Sequence, residues 1–386
     1  MNRGSIVRRI LIVLLLAVAF GAVLRAQSPA AGVGAVTGHV YCSDTRTPCR
    51  FATVSLQPIQ ALANARAVGI ERLTASDWKK VRAKSYSAVT DIDGRFEITG
   101  VADGEYYVYA ESAGYLDPYR LATTGALGDA SQSLDALEKL LPRIRVAAGA
   151  ETTAELTLVR GGSIEGSVRF DDGGYAYWAS IDLYRKDSVG KWKRYEDQYL
   201  FDQRMTTPHY ADDRGRFFIE GLVPGTYTIK ATLPEPRVIE GLGVVLESGG
   251  ADSLAVFNGD KFRLKDASPI ELQEGEDRSD IDIEIPTNGL YTLVGAVNAL
   301  PDGRTITKGT VSLLDPDDQS PIRQTDIRPD GSFRFRLVVP GNYLVRVAAL
   351  GGDSNPKSSI QYGILTSPLE VAGDLSGLTY TVSPAK

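Results

Sequence analysis

The chain has 386 residues, a formal net charge of −6, and 43% hydrophobic, 23% charged and 8% aromatic residues. That composition points to two or three folded domains and excludes a disordered or fibrous chain. Its acidity argues against nucleic acid, and two His and two Cys leave little material for a His- or Cys-based metal site.

At the N-terminus, Arg3, Arg8 and Arg9 precede an uncharged apolar run from Ile10 to Leu24, and Ala26 offers a small residue for cleavage. This order predicts a secretory signal peptide over residues 1–26; the alternative is an uncleaved anchor of about fifteen residues. Cleavage takes four arginines away and leaves a mature charge of about −10. No Cys stands at the cleavage region and no second run of spanning length follows. The expected mature protein is therefore exported, to the periplasm or the cell surface, without a membrane span. In an oxidising compartment Cys42 and Cys49 can close a local disulfide, for which a loop of about eight residues gives about 2.5 kcal/mol of chain-entropy stabilisation. Two buried thiols are the alternative.

Beyond the leader, one pattern occurs three times. TDIDGRFEITGVADGEYYVYA from Thr90 matches DDRGRFFIEGLVPGTYTIKA from Asp212 and RPDGSFRFRLVVPGNYLVRVA from Arg328. A turn glycine (Gly94, Gly215, Gly331) stands ten residues before a second one (Gly104, Gly225, Gly341). Between them lie Phe96 and Ile98, Phe217 and Ile219, or Phe333 and Phe335; after the second comes Tyr106, Tyr227 or Tyr343, opening a period-two run. Period two with polar residues outward predicts half-buried antiparallel strands with these aromatics inside. Asp-Gly suits a tight turn, and Pro-Gly suits one in which glycine takes a positive φ. Upstream, a Gly-x-Val pair recurs at Gly38, Gly166 and Gly295, followed by a second short strand carrying Val54 and Leu56, Ile181 and Leu183, or Val311 and Leu313. Outside the leader only residues 133–141 carry a helical apolar face, and 58–84 reads as a partly helical excursion.

Gly-x-Val, then Ala-x-Val-x-Leu at 52–56, T-D-x-x-G-x-F from Thr90, G-x-Y and a closing Gly114-Tyr115 resembles the carboxypeptidase regulatory-like domain. The pattern is also similar to transthyretin-like and carbohydrate-binding-like sandwiches, and it runs through all three copies. The resemblance implies an all-β protein: three tandem antiparallel, seven-stranded Greek-key β-sandwiches at 33–160, 161–288 and 289–386, after the signal peptide. It also implies an exported bacterial protein, accessory to something larger. The expected function is a non-catalytic binding or spacer module of the envelope, with a polysaccharide or an envelope protein as partner. The alternatives are protein–protein interaction or adhesion, or an accessory regulatory subunit of a peptidase or transport system. The related B-type repeats of Gram-positive adhesins crosslink a first-strand Lys with help from a Glu. Glu111 lies where that Glu would be, but the first strands GHVYC, EGSVR and VGAVN hold no Lys.

No Ser/His/Asp pattern, phosphate-binding loop or HExxH string occurs, so no enzyme and no cofactor is expected. His39 and His209 lack a neighbour that would make either a base. Asp91, Asp93, Asp212 and Asp213 could bind a hard cation through oxygen ligands, but no bidentate Glu follows at the required spacing and turns alone explain these acids. The least routine feature is eight aromatics in the second copy: Tyr175, Tyr177, Trp178, Tyr184, Trp192, Tyr195, Tyr199 and Phe201. Cross-strand packing accounts for such density. Exposed rings would instead form a ligand platform, for which Trp178, Tyr184 and Trp192 are the candidates.

Overall fold

The computed structural model describes residues 32–60, 85–116, 138–195, 209–233, 235–239, 243–247, 253–350 and 362–385. The proposed leader, the 58–84 excursion beyond Gln60, most of the 133–141 stretch, Tyr199 and Phe201 lie outside them. Among the described residues the fold is all-β, and packing divides it into two compact units with the break after Arg160.

The first unit is a seven-stranded sandwich: β1 (Val33–Cys42), β2 (Thr53–Pro58), β3 (Tyr86–Val89), β4 (Arg95–Ala102), β5 (Gly104–Glu111), β6 (Arg143–Val146) and β7 (Glu151–Leu158). One sheet has the order β4-β1-β7, the other β3-β2-β5-β6. Val36, Val40, Val54, Leu56, Phe96, Ile98, Tyr106 and Val108 fill the space between. Cys42 and Cys49 form a disulfide with their Cα atoms 5.2 Å apart.

The second unit holds two sandwiches with separate cores. The strands around the first core are β8 (Gly162–Phe170), β9 (Ser180–Lys186), β10 (Trp192–Arg194), β11 (His209–Tyr210), β12 (Arg216–Leu222), β13 (Gly225–Thr232), β14 (Glu235–Ile239), β15 (Gly243–Glu247), β16 (Ala255–Phe257), β17 (Ile270–Leu272) and β18 (Asp277–Ile285). They form sheets β12-β8-β18 and β10-β9-β13-β16, with β11 on β9, β17 on β13 and a β14-β15 hairpin that no repeat pattern announces. Around the other core are β19 (Tyr291–Ala299), β20 (Gly309–Leu314), β21 (Pro321–Asp326), β22 (Ser332–Val338), β23 (Gly341–Ala349), β24 (Leu365–Val371) and β25 (Leu375–Val382). Their orders, β22-β19-β25 and β21-β20-β23-β24, repeat the first sandwich strand for strand.

Among the described residues each sandwich has one parallel pair, last strand against first: β7 on β1, β18 on β8, β25 on β19. Here the Gly-x-Val signature finds its cause. A Cβ on Gly38 or Gly166 would run into the carbonyl of Ala154 or Ile281 on the parallel neighbour, and on Gly295 into Leu378 and the Phe333 ring. Only glycine lets the last strand approach while a Phe ring packs over the same spot. The turn glycines Gly94, Gly215 and Gly331 have φ of 71°, 72° and 78°, the left-handed conformation that the Asp-Gly turns at Gly94 and Gly331 and the Arg-Gly turn at Gly215 share. Of the two Pro-Gly turns, Gly341 takes a positive φ, at 143°, as expected, whereas Gly225 is not in the positive-φ region and, like Gly104, simply opens its strand.

Tyr106, Tyr227 and Tyr343 are buried, and each hydroxyl donates to a carbonyl four residues upstream: Ala102 at 2.9 Å, Val223 at 2.7 Å and Val339 at 2.7 Å. The hydroxyl thus pins the turn before the strand, which is why the repeat uses Tyr and not Phe. Burial, and after it Tyr86, pushes the Tyr106 hydroxyl up to about 12.

A polar clasp joins the two sandwiches of the second unit. From the 3-10 turn Leu264–Asp266 and the residue before it, Lys265 binds Asp315 at 3.0 Å and also Asp317, while Arg263 donates to the Asn342 carbonyl at 3.1 Å and stacks 4.4 Å above the Tyr343 ring. Leu290, Leu337 and Val339 of the third sandwich pack on the second core. Burial pushes the Asp315 carboxyl up, but the Asp317 amide and the Lys265 and Arg263 cations outweigh it and hold it below the usual carboxylate range.

Candidate functional site

The segment from Asp171 to Ala179 links β8 to β9. Asp172 accepts from the Gly174 amide at 2.9 Å, Gly173 takes φ 87°, and the chain then returns along β8 with Ala176 N donating to Val168 O at 3.1 Å. Ala176 and Ala179 are buried in the core. With these two small side chains inside, Tyr175, Tyr177 and Trp178 face solvent. Trp178 sits in the left-handed region at φ 63°, and its amide donates to Ala211 O at 3.2 Å. β11 pairs with the start of β9, Tyr210 opposite Ser180, which brings the Tyr210 ring to the same corner.

Three rings meet there. Trp178 is 5.5 Å from Tyr177 at 86° and 5.3 Å from Tyr210 at 46°, and it remains 38% exposed. Tyr175 is exposed in the same loop with the Arg169 guanidinium 5.6 Å from its ring. Trp178 stands edge-on to Tyr177 and tilted against Tyr210, so the three rings make a broken apolar surface whose two tyrosines also carry phenolic hydroxyls. Such a surface accepts a flat or puckered ring face and hydrogen-bonds its rim.

Of the platform candidates, only Trp178 belongs to this corner. Tyr184 is half-buried on β9, four residues beyond Ser180 or roughly 13 Å along the strand, with its ring 6.0 Å from Phe257. Trp192 is half-buried on β10 under Lys186, whose ammonium lies 4.9 Å from the ring. Neither shares a ring contact with Trp178 among the described residues. Tyr210 was not a candidate, because nothing local in the sequence couples it to Trp178; its position one residue before the Ala211-Asp212 turn, matching Val89 before Thr90-Asp91, is the signal that could have found it.

The other polar candidates have ordinary roles. His39 lies 3.4 Å from Glu155, and His209 pairs with Ile181 in β11. Asp91 accepts from the amides of Asp93 and Arg95, both at 2.9 Å, and Asp212 accepts from those of Arg214 and Arg216 at 2.9 and 2.8 Å, closing the turns. Hydrogen bonds from Arg216 hold the Asp212 carboxyl below its usual range. Among the described residues no three His, Cys, Asp or Glu side chains gather as a metal site, and no helix is long and apolar enough to cross a membrane.

No family model and no curated protein matches the chain. Among solved structures it is similar to the Bacillus anthracis TIE protein at 13% identity and TM-score 0.21, covering 92% of this chain and 51% of that one. It is similar to a Streptococcal ancillary pilin at 10% identity and TM-score 0.27, covering 91% and 99%, and to a candidate carbohydrate binding protein of Pseudomonas aeruginosa at 17% identity and TM-score 0.18, covering 25% and 88%. The chain thus spans about half the length of the anthracis protein. TM-scores this low establish neither ancestry nor function.

Proposed function

We propose that this is an exported, non-catalytic binding module of the bacterial envelope, built from carboxypeptidase regulatory-like sandwiches at 33–160, 161–288 and 289–386, and that the Tyr177, Trp178 and Tyr210 corner holds a polysaccharide. The domain limits agree with three separate cores, and export agrees with the Cys42–Cys49 bridge. One observation carries the binding site: a Trp in the left-handed region, where an L-residue costs roughly 1–2 kcal/mol, with its ring left in solvent. Contacts with Tyr177 and Tyr210 offset part of that cost, and a ligand on the exposed ring face would offset the rest.

Fluorescence of the mature chain titrated with plant and cell-wall glycans tests it. A saturable shift with at least one glycan, lost in Trp178→Ala, is the expected result; no shift with any glycan overturns it. The clasp of Lys265 and Arg263 with Asp315 favours a second reading, a spacer that holds two ends apart, and unchanged envelope partners after Trp178→Ala would leave that reading standing.

A further inference from the structure

The corner at Trp178 has a counterpart in the first sandwich. Aligning the second strands through Val54 and Ile181 places Phe51 at the position of Trp178, Ala52 at Ala179, Val89 at Tyr210 and Thr90 at Ala211. The hydrogen bonds agree with that alignment. Phe51 N donates to Thr90 O at 3.1 Å, as Trp178 N does to Ala211 O, and Thr90 N donates to Ala52 O at 2.9 Å, as Ala211 N does to Ala179 O at 2.9 Å. The backbone strain agrees as well: Phe51 has φ 57°. Its ring is 69% exposed, with Val89 and Ile92 also exposed beside the same turn and Arg50 tied to Ile92 O at 2.7 Å.

The third sandwich supplies the contrast. Ile327 N donates to Gly309 O at 2.9 Å, the counterpart of the Thr90–Ala52 and Ala211–Ala179 bonds, but the residue matching Phe51 is Lys308, the one matching Val89 is Asp326, and the unusual φ (130°) falls on Gly309. The corner can therefore be built with a glycine carrying the unusual backbone and with charged residues outside. Two sandwiches place a large aromatic in the left-handed position instead, Phe51 mostly in solvent and Trp178 still 38% exposed beside Tyr177 and Tyr210, and neither ring belongs to a core.

We infer that the first sandwich carries a second glycan-contacting corner, centred on Phe51 with Val89 and Ile92, of the same class as the Trp178 corner and absent from the third sandwich. The inference rests on the polysaccharide reading of the Trp178 corner. Phe51, Val89 and Ile92 offer ring and aliphatic faces without the phenolic hydroxyls of Tyr177 and Tyr210, so this corner binds the apolar face of a neutral sugar more weakly, by roughly fivefold.

Calorimetry of the processed full-length chain with cellohexaose, xylohexaose and chitohexaose decides it. The expected result for at least one of them is two sites per chain. Trp178→Ala leaves the weaker site, Phe51→Gly (a substitution that suits the φ) leaves the stronger, Phe51→Trp keeps both, and the Trp178→Ala, Phe51→Gly double variant binds none. A single site abolished by Trp178→Ala and untouched by Phe51→Gly overturns the second corner while leaving the polysaccharide reading intact. No binding of any of the three by the wild-type chain, with no shift for any glycan of the fluorescence titration, overturns both. A Phe51→Gly variant that alters only the sedimentation of the ligand-free protein makes the corner a contact between copies, and the glycan inference fails.

Discussion

In the second sandwich the segment entering β9 presents Tyr177 and Trp178, and Tyr210 joins them; in the third, the segment entering β20 presents Thr307 and Lys308, and Asp326 stands where Tyr210 did. Around these corners the two sandwiches are alike. Gly166 and Gly295 admit the parallel last strand, Phe217 and Phe333 cover those glycines, and Tyr227 and Tyr343 pin the turn. Positions hemmed in by neighbouring backbone admit one solution, so they repeat. The corner lies outside the cores, so its residues are free to follow use, and in two sandwiches out of three the left-handed position holds an aromatic, Phe51 or Trp178.

The largest break in this comparison should come from the repeated positions. Tyr227→Ala removes a fully enclosed ring and is expected to cost about 3–5 kcal/mol in urea unfolding, with Tyr343→Ala close behind. Tyr227→Phe keeps the ring but leaves the buried Val223 carbonyl without its donor, for about 1 kcal/mol. A Phe variant as stable as wild type would mean that the hydroxyl does not hold the turn.

The clasp tests whether the third sandwich owes stability to the second. Asp315→Asn leaves Lys265 without its buried carboxylate and should lower the urea midpoint, by less than the loss of a wholly buried pair would because Lys265 is partly exposed. The pH dependence follows from the depressed carboxyl. Its contribution is complete above the ordinary carboxylate value and disappears as pH falls through the lower, folded-state value. The stability gap between wild type and Asp315→Asn should therefore be flat from about pH 8 to 5 and close below about pH 4. A gap that stays constant into acid would show that the substitution acts by shape alone.

Much of this architecture was legible in the sequence, for a physical reason. Turn glycines and inward aromatics at fixed spacing report constraints that each strand meets locally, so Phe96, Phe217 and Phe333 lie inside as period two requires. The parallel pairs were not legible, because alternation along a strand carries no information on the direction of its neighbour. Gly-x-Val could be seen but not explained. At the corner, period two fails outright: Trp178 in the left-handed region breaks alternation, whereas Tyr184 and Trp192 sit on regular strands with partners above and beside them. Aromatic density therefore picked out the sandwich that holds the three-ring corner, with Tyr177 and Trp178 among its eight rings but only Trp178 among the platform candidates. Tyr210 reaches Trp178 through a pairing that spans the 29 residues between Ser180 and Tyr210, beyond any local signal.

A smaller effect separates the outward faces of the central strands. Thr228 on β13 is wholly buried, and its hydroxyl has no hydrogen-bond partner among the described residues; the matching residue on β23 is Leu344. Thr228→Val removes an unpaired polar group while keeping the branched shape, and should stabilise by about 1 kcal/mol. Destabilisation in urea titration would reveal a bond that the hydroxyl makes, and the two faces would then be more alike than Thr and Leu suggest.

The smallest expected effect on stability is the most informative about the corner. Trp178→Gly relieves about 1 kcal/mol of left-handed strain, which the extra freedom of glycine in the unfolded chain and the loss of ring contacts with Tyr177 and Tyr210 offset by a similar amount. The net change should lie within about 1 kcal/mol of zero, and Trp178→Gly should be more stable than Trp178→Ala, because alanine keeps the strain without the ring. Lys308→Ala in the third sandwich, where Gly309 already carries the unusual φ, should show no such preference. If Trp178→Gly instead costs more than about 2 kcal/mol, the indole is a structural residue that happens to be visible from solvent, and the contrast between the corners is one of packing. If it costs nothing while glycan binding disappears, stability and binding are separated at one side chain, which is what a residue held against its own backbone preference for the sake of a ligand must show.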